Sequence, residues 1–518
     1  MLYGHIAIWG RKVGREGRIR ALAPTRRTCG SFPSRRRGSI GHGGCIMRQR
    51  HTRIIATLGP ACCSVDMIRQ LICAGADVFR INASHSDTET LTRYVRAVRE
   101  ASNRCSVYAG ILLDLQGPKI RLGDFASGSI TLRAGETFRI TTDEVIGNRE
   151  LTSTTYQDFV KDVRAGDRVL LADGAVELTV LNSEGNTSSC RVVRGGTVSN
   201  HQGINLPGTA LSAPSLTEKD RHDLQEGIRL RVDMIALSFV RRADDIHDLR
   251  KDLEQQSVKL PIIAKIERAE AWQSIDEILH AGDGAMVARG DLGVEVAMGL
   301  VPHIQKTVIE KSIQCNRFVI TATQMLESMI NSPVPTRAEV SDITNAIYDG
   351  TDAVMLSAET ARGDYPIDAV RVMAEIAESA ELHLPHRPPR VINRTLAQYN
   401  EVIADLACRA SHIGQVKAIG VFTETGHTAH LIAAQRPDLP VFAFTPNHSI
   451  ACQLSVWHGV TALIAPPLLS VEEMVKYMDQ NLVSRNWLKR GDPILLAAGD
   501  RVGHPGATNM LKVHTVMG

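Results

Sequence analysis

The chain has 518 residues, 43% hydrophobic but only 4% aromatic, which asks for two to four domains at roughly 150 residues each and favours an α/β protein over an aromatic-rich all-β one. Its formal net charge of +3 conceals an asymmetry: residues 1–52 hold twelve Lys or Arg against one acid, Glu16, leaving 47 basic and 55 acidic residues, a net of −8, in the rest. An acidic body makes no case for nucleic-acid binding, and the absence of any run of about 18 apolar residues makes none for a helical membrane span.

In chain order, the basic head comes first. It carries Arg35-Arg36-Arg37 and a Gly-rich stretch at 41–44, and reads as a disordered extension over residues 1–46. Acid-poor and Arg-rich composition fits a transit peptide, but there is no apolar core of a secretory signal. The preferred expectation is that the segment is not translated and that Met47 opens the protein, which intact mass decides. Ten cysteines occur without a CxxC pair. They read as free thiols in a reducing cytoplasm.

Eight short apolar runs follow: Ile54–Ala56, Val78–Ile81, Ala109–Leu113, Met234–Leu237, Ile262–Ala264, Ala285–Ala288, Val319–Thr321 and Ala353–Leu356. Continuous apolar runs of this length predict strands buried on both faces. Helical stretches separate most of them, such as Val65–Gly75 with Ser64 as its N-cap. Eight alternating units predict a (β/α)8 TIM barrel, with a doubly wound open sheet as the alternative. The interval after the third run breaks the repeat. Residues 118–214 instead carry strand-like pieces, Ser129–Leu132, Thr137–Thr141, Arg168–Leu171, Val176–Val180 and Cys190–Val193, punctuated by Gly135, Gly166-Asp167 and Asp173-Gly174. This predicts an inserted all-β domain between barrel segments 47–117 and 215–388. Without it, 51–117 and 215–388 total 241 residues, close to the ~250 that such a barrel needs. A linker is expected at Leu384–Arg390, with Pro385, Pro388 and Pro389. Beyond it, 389–518 restarts the alternation with strands at Val416–Phe422, Val441–Phe444 and Ile494–Ala497, a separate C-terminal α/β domain.

Active sites of such barrels lie at the C-terminal ends of the strands, so the residues after each run carry the chemistry. Arg80, Asn82 and Ser84 share one side of an extended chain; Arg80 can grip a phosphate or form a salt bridge beside a turn. Asp114 precedes Gln116-Gly117-Pro118-Lys119-Ile120-Arg121, where Lys119 and Arg121 add positive charge or simply make a basic hinge. Lys265 and Glu267 share one face. In a barrel mouth they are costly unless they meet ligands or each other, so they are either a structural ion pair or a catalytic ammonium beside a metal carboxylate. At Arg289-Gly290-Asp291, glycine allows an anion to approach a helix start, and Asp291 is a second metal carboxylate or a cap. Thr323 and Ser357 are hydroxyls for ligands or N-caps. Two carboxylates without Cys or His favour Mg²⁺ or Mn²⁺, and the charge ring suits phosphoryl transfer. There is no GxxxxGK[ST] loop.

These segments resemble the pyruvate kinase family. Thr57–Ala61, Arg80–His85, Asp114–Arg121, Gly203–Gly208, Lys265–Glu267, Met286–Gly293, Ala322–Met329 and Pro335–Glu339 follow the family order from about Arg48 to Val516, and Ala322-Thr323-Gln324-Met325-Leu326-Glu327-Ser328-Met329 is highly specific. The resemblance implies a Mg²⁺-dependent, allosterically regulated, cytoplasmic homotetramer that transfers the phosphoryl group of phosphoenolpyruvate to ADP, giving pyruvate and ATP. It implies Arg80 on the substrate phosphate, Glu267 and Asp291 on the metal, and Lys265 on the transferring group and enolate. Gly290, Asp291 and Thr323 would hold the substrate carboxylate, with Thr323 also in protonation, and Asn82, His85 and Arg121 would meet the nucleotide. The family's monovalent-cation positions fall on Asn82, Ser84, Asp114 and Leu115. Here Leu115 replaces the usual Thr and Lys119 the usual Glu, so an ammonium stands in for K⁺ and K⁺ is not expected to be required. The resemblance makes the insertion over 118–214 a β-barrel lid, and Gln202 replaces a usual Lys at its exit. Thr423, Thr425, Gly426, His427 and Thr428 match the effector loop. Glu424 there predicts a monophosphate effector, AMP or a sugar monophosphate, over a bisphosphate, against a plain turn. A Schiff-base aldolase using Lys265 and a catalytically dead regulator are the rival readings.

Overall fold

The computed structural model describes residues 50–384, 399–413, 415–499 and 508–517. The expectations for residues 1–46 and for Pro385, Pro388 and Pro389 lie outside the described residues. Eight parallel strands close into a barrel: β1 (Arg53–Thr57), β2 (Val78–Asn82), β3 (Gly110–Asp114), β4 (Met234–Leu237), β5 (Ile262–Ile266), β6 (Gly284–Ala288), β7 (Phe318–Ala322) and β8 (Ala353–Leu356). All residues of β1, β3, β4, β6, β7 and β8 are buried, which is why they read as uninterrupted apolar runs. The helix Val65–Ala74 starts where Ser64 accepts a hydrogen bond from Met67 N.

Between β3 and β4 the chain builds further sheet structure. Ile204–Asn205, Arg168–Leu171, Val176–Glu184, Thr187–Arg194, Thr137–Thr141 and Leu151–Ser153 lie side by side in that order, and Ser129–Leu132 pairs separately with Gly196–Ser199. Hydrogen bonding therefore divides the insertion into two sheets rather than one closed barrel, and a short helix, Phe159–Asp162, interrupts it. The division falls at Gly195, where a Cβ would lie 2.3 Å from Leu132 O. The backbone there passes against the end of Ser129–Leu132, the strand with which Gly196–Ser199 pairs.

The C-terminal domain holds β9 (Ile419–Phe422), β10 (Val441–Thr445), β11 (Val460–Ile464), β12 (Pro493–Gly499) and β13 (Thr508–Thr515), in spatial order β11-β10-β9-β12-β13, with only β13 antiparallel. The order reverses at β9, and open α/β sheets bind ligands at such a switch point. The segment 423–428 follows β9. This domain seats on the N-terminal end of the barrel. Phe318, at the start of β7, meets Trp457 edge to face at 5.1 Å, and Arg436 Nη2 pairs with Asp352 at 2.8 Å. Among the described residues no helix is long and apolar enough to cross a membrane.

A Cβ at Gly110 would lie 2.6 Å from Ser455 Oγ and 2.9 Å from Cys452 O, so β3 can touch the C-terminal domain only without a side chain. Gly110→Ala is expected to destabilise the chain by about 1–3 kcal/mol, read as a lower Tm. An unchanged Tm would contradict this close approach.

Candidate active site

Four charged side chains meet at the barrel mouth. Lys265, near the end of β5, sends Nζ to Glu267 Oε1 at 2.8 Å and Asp114 Oδ1 at 3.2 Å, and donates to Ser238 Oγ at 2.7 Å. Arg80 Nε donates to the other oxygen of Asp114 at 2.6 Å, and its Nη1 to Thr57 Oγ1 at 3.2 Å. The exposures of Lys265, Asp114 and Glu267 side chains are 11%, 1% and 2%, so these charges persist only because they neutralise one another. Burial works against the Lys265 ammonium, but Asp114 and Glu267 outweigh it and raise its pKa. Burial likewise opposes ionisation of Asp114, yet Lys265 and Arg80 hold its pKa below the ordinary value. Glu267 differs: burial raises its pKa, Lys265 opposes, and the nearby charge of Asp291 adds to the rise.

Thr323 and Gln324 directly follow β7 with φ of 65° and 53°, a left-handed pair that is unfavourable for non-glycine residues. The Thr323 hydroxyl accepts from Gly290 N at 2.8 Å and donates to Ala322 O at 2.7 Å. Gly290 and Asp291 lie in the first turn of the helix Arg289–Glu295. Asp291 is exposed and lines a cavity of about 70 Å³ with Lys119, Phe239 and Arg268. Among the described residues no group of three or more His, Cys, Asp or Glu side chains is arranged to hold a metal. Glu267 and Asp291 together offer two hard oxygen donors, a set that suits Mg²⁺ or Mn²⁺ completed by substrate and water.

The insertion is bonded to residues beside this mouth. Arg268 Nη2 donates to Thr209 O at 3.1 Å, and Arg241 Nη2 to Ala213 O at 2.8 Å. Arg268 also pairs with buried Glu295 at 3.1 Å. Arg121 Nη1 donates to His201 O at 2.9 Å, while Gln202 accepts from Ser199 Oγ at 3.1 Å. Lys119 is exposed. Burial, then Lys119, Arg121 and Arg80, lower the pKa of exposed His85. Leu115 is buried, and its carbonyl accepts from Ser238 Oγ at 2.6 Å.

One expected pattern is corrected. Arg80, Asn82 and Ser84 do not share an extended chain, because β2 stops at Asn82. The Asn82 side chain accepts from Ser84 N at 3.1 Å and begins a 3₁₀ turn, Ala83–His85. In the segment 423–428, two hydroxyls are spent within the fold: Thr423 Oγ1 accepts from Gly426 N at 3.0 Å, and Thr428 Oγ1 meets Thr508 Oγ1 at 2.6 Å. Thr425 and Glu424 are exposed and His427 is half-buried.

Three further residues take part to which the sequence reading gave no role. Ser238 follows β4 directly, so the rule applied to the other strands would have found it. Phe239, at φ 54°, donates its N–H to Glu267 Oε2 at 2.8 Å, and Arg289 braces Thr323. No sequence signal marks either of those contacts.

A closed (β/α)8 barrel carries a neutralised cluster of Lys, Arg and carboxylates at its mouth, beside an insertion, and together with the relatives that follow this makes it a phosphotransferase of the TIM-barrel class. Residues 49–370 match the family model for the pyruvate kinase barrel domain, and 401–514 that for the pyruvate kinase alpha/beta domain. The chain is 42% identical over 473 residues to pyruvate kinase of Corynebacterium glutamicum, spanning 90% of this chain and 97% of that one. It is 42% identical over 475 residues to pyruvate kinase of Geobacillus stearothermophilus, spanning 90% and 81%. The solved structure of a pyruvate kinase from Cryptosporidium parvum aligns with a TM-score of 0.84 at 35% identity, covering 90% of this chain and 97% of that one. The chain belongs to the pyruvate kinase family.

Burial pushes the Glu295 carboxyl from 4.5 up to about 7, against the opposing charge of Arg268. The folded state therefore binds a proton there that the unfolded chain has lost, and stability from this site declines as pH rises from about 4.5 to 7. Glu295→Gln removes that dependence. The Tm difference between variant and parent should shift in favour of the variant between pH 5 and pH 8, and a pH-independent difference would contradict the assignment.

Proposed function

We propose that the chain moves the phosphoryl group of phosphoenolpyruvate to ADP, giving pyruvate and ATP, at the mouth of the barrel. The observation that carries this reading is the Lys265 ammonium, buried between Glu267 and Asp114. As the P–O bond breaks, its electron pair goes to the enolate oxygen, and an ammonium held in a dry site is suited to that developing charge. Arg80 keeps Nη2 free of protein partners among the described residues, which leaves a donor for the substrate phosphate. Glu267 and Asp291 would hold Mg²⁺ or Mn²⁺, which when bound neutralises charge on the phosphoryl oxygens. The helix start at Gly290 and Asp291, where the Gly290 N–H already holds the Thr323 hydroxyl, would receive the substrate carboxylate together with Thr323, which would also guide a proton to the enolate carbon. Asn82, His85 and Arg121 would meet the nucleotide. The Schiff-base alternative needs a lysine of depressed pKa, whereas Lys265 is held protonated.

The proposed organisation is a catalytic barrel over 47–117 and 215–388, a lid over 118–214 that excludes water, and a regulatory domain over 389–518. The segment Thr423, Thr425, Gly426, His427 and Thr428 would take AMP or a sugar monophosphate. A cytoplasmic homotetramer is the expected form. In the monovalent-cation region of Asn82, Ser84, Asp114 and Leu115, the Asp114 carboxylate already has Arg80 and Lys265, and Lys119 adds a further positive charge. K⁺ is therefore not required.

A coupled assay of pyruvate formation tests the reading directly. Glu267→Gln should lower kcat about 10²–10³-fold and weaken Mn²⁺ binding. Retention of both would refute the role given to Glu267. Added K⁺ at saturating Mg²⁺ should leave the rate unchanged, and strong stimulation would overturn the proposed cation substitution.

A further inference from the structure

The left-handed pair Thr323-Gln324 is unfavourable for residues that carry a Cβ, and strain of this kind persists only where the surroundings hold it. One side chain does most of the holding. Arg289, 8% exposed, donates from Nη2 to Thr323 O at 2.7 Å and Gln324 O at 3.2 Å. Its Nε lies 3.3 Å from Thr323 O and 3.4 Å from Ala322 O. Three successive carbonyls at the end of β7 thus converge on one planar guanidinium, whose fork fixes direction as well as distance. The guanidinium is anchored in turn. Nη1 pairs with Asp342 Oδ2 at 2.6 Å, on the helix Arg337–Asp349, and reaches Gln305 Oε1 at 3.3 Å, on the helix Val301–Gln314. The next residue, Gly290, binds the Thr323 hydroxyl through its N–H. Residues 289 and 290 therefore grip both the backbone and the side chain of Thr323.

We infer that Arg289, set by Asp342, is a positioning residue that fixes the Thr323 hydroxyl for proton delivery to the enolate carbon. It touches neither substrate nor metal in this role, which rests on the function proposed above. Phosphoenolpyruvate loses its phosphoryl group to ADP, the electron pair goes to the enolate oxygen, and the enolate carbon then takes one proton to become the methyl group of pyruvate. Loosening the turn displaces only the last of these events. A displacement of about 1 Å in such a group costs on the order of 10²-fold in rate, enough to make protonation limit turnover.

The test uses the full-length protein with phosphoenolpyruvate, ADP and Mg²⁺ in H₂O and in D₂O. Arg289→Met should lower kcat by about 10²-fold and raise the solvent deuterium isotope effect on kcat. It should slow exchange of the pyruvate methyl protons with solvent in parallel, and Mn²⁺ affinity should stay at the parent value. Arg289→Lys should recover little, since an ammonium cannot span three carbonyls. Asp342→Asn, at a partly exposed position, should give the same signature in weaker form and serves if Arg289→Met does not fold. An unchanged isotope effect in both variants would overturn the inference, as would loss of metal affinity in parallel with rate. A parent protein that forms no ATP would refute the proposed function instead, so the two failures are distinguishable.

Discussion

The structure depends on charge neutralised out of water. Asp114 sits on β3, Lys265 on β5, Arg80 on β2 and Glu267 just past β5, and none would tolerate its burial alone. Their mutual contacts, 2.6 to 3.2 Å long, require the strands to be in register around a closed ring. Asn82 pairs in register with Asp114 across β2 and β3, and Lys265 with Met286 across β5 and β6. Barrel closure and the reactive cluster are thus one constraint: strand order sets which charges meet, and the charges reward that order.

A second constraint is the tolerance of strain at the end of β7. Left-handed residues at Thr323 and Gln324 would relax in a free loop. They are held because the helix Arg289–Glu295 begins against them and because Arg289 is buried under two further helices. The same helix carries Asp291 and Glu295, so one short element connects the strained turn, the proposed metal position and the seat of the insertion through Arg268.

Much of this was legible in the sequence. The eight barrel strands lie within a residue or two of the apolar runs, because strands buried on both faces leave no polar alternation to confuse the reading. Lys265, Glu267, Asp114 and Arg80 were visible as charges placed immediately after apolar runs, where burial demands an explanation. What escaped did so for physical reasons. The strand Thr508–Thr515 is an edge strand with only two buried residues, so it shows no apolar face. Ser84 looked extended because alternation says nothing of where a side-chain cap will start a turn. Arg289 resembles any polar residue at a helix start; its contacts run to three carbonyls, of Ala322, Thr323 and Gln324, far along the chain, and backbone carbonyls leave no trace in residue identity.

The central claim is that the ammonium at Lys265, and not merely an ion pair between Lys265 and its carboxylates, stabilises the departing enolate. The most direct measurement is kcat for Lys265→Met at saturating phosphoenolpyruvate, ADP and Mg²⁺, with Mn²⁺ binding followed in the same preparation. The account predicts a loss of at least about 10²–10³-fold in kcat with divalent binding retained by Glu267 and Asp291. A kcat near that of the parent would contradict it, because the ion pair would then be structural and the chemistry would lie elsewhere.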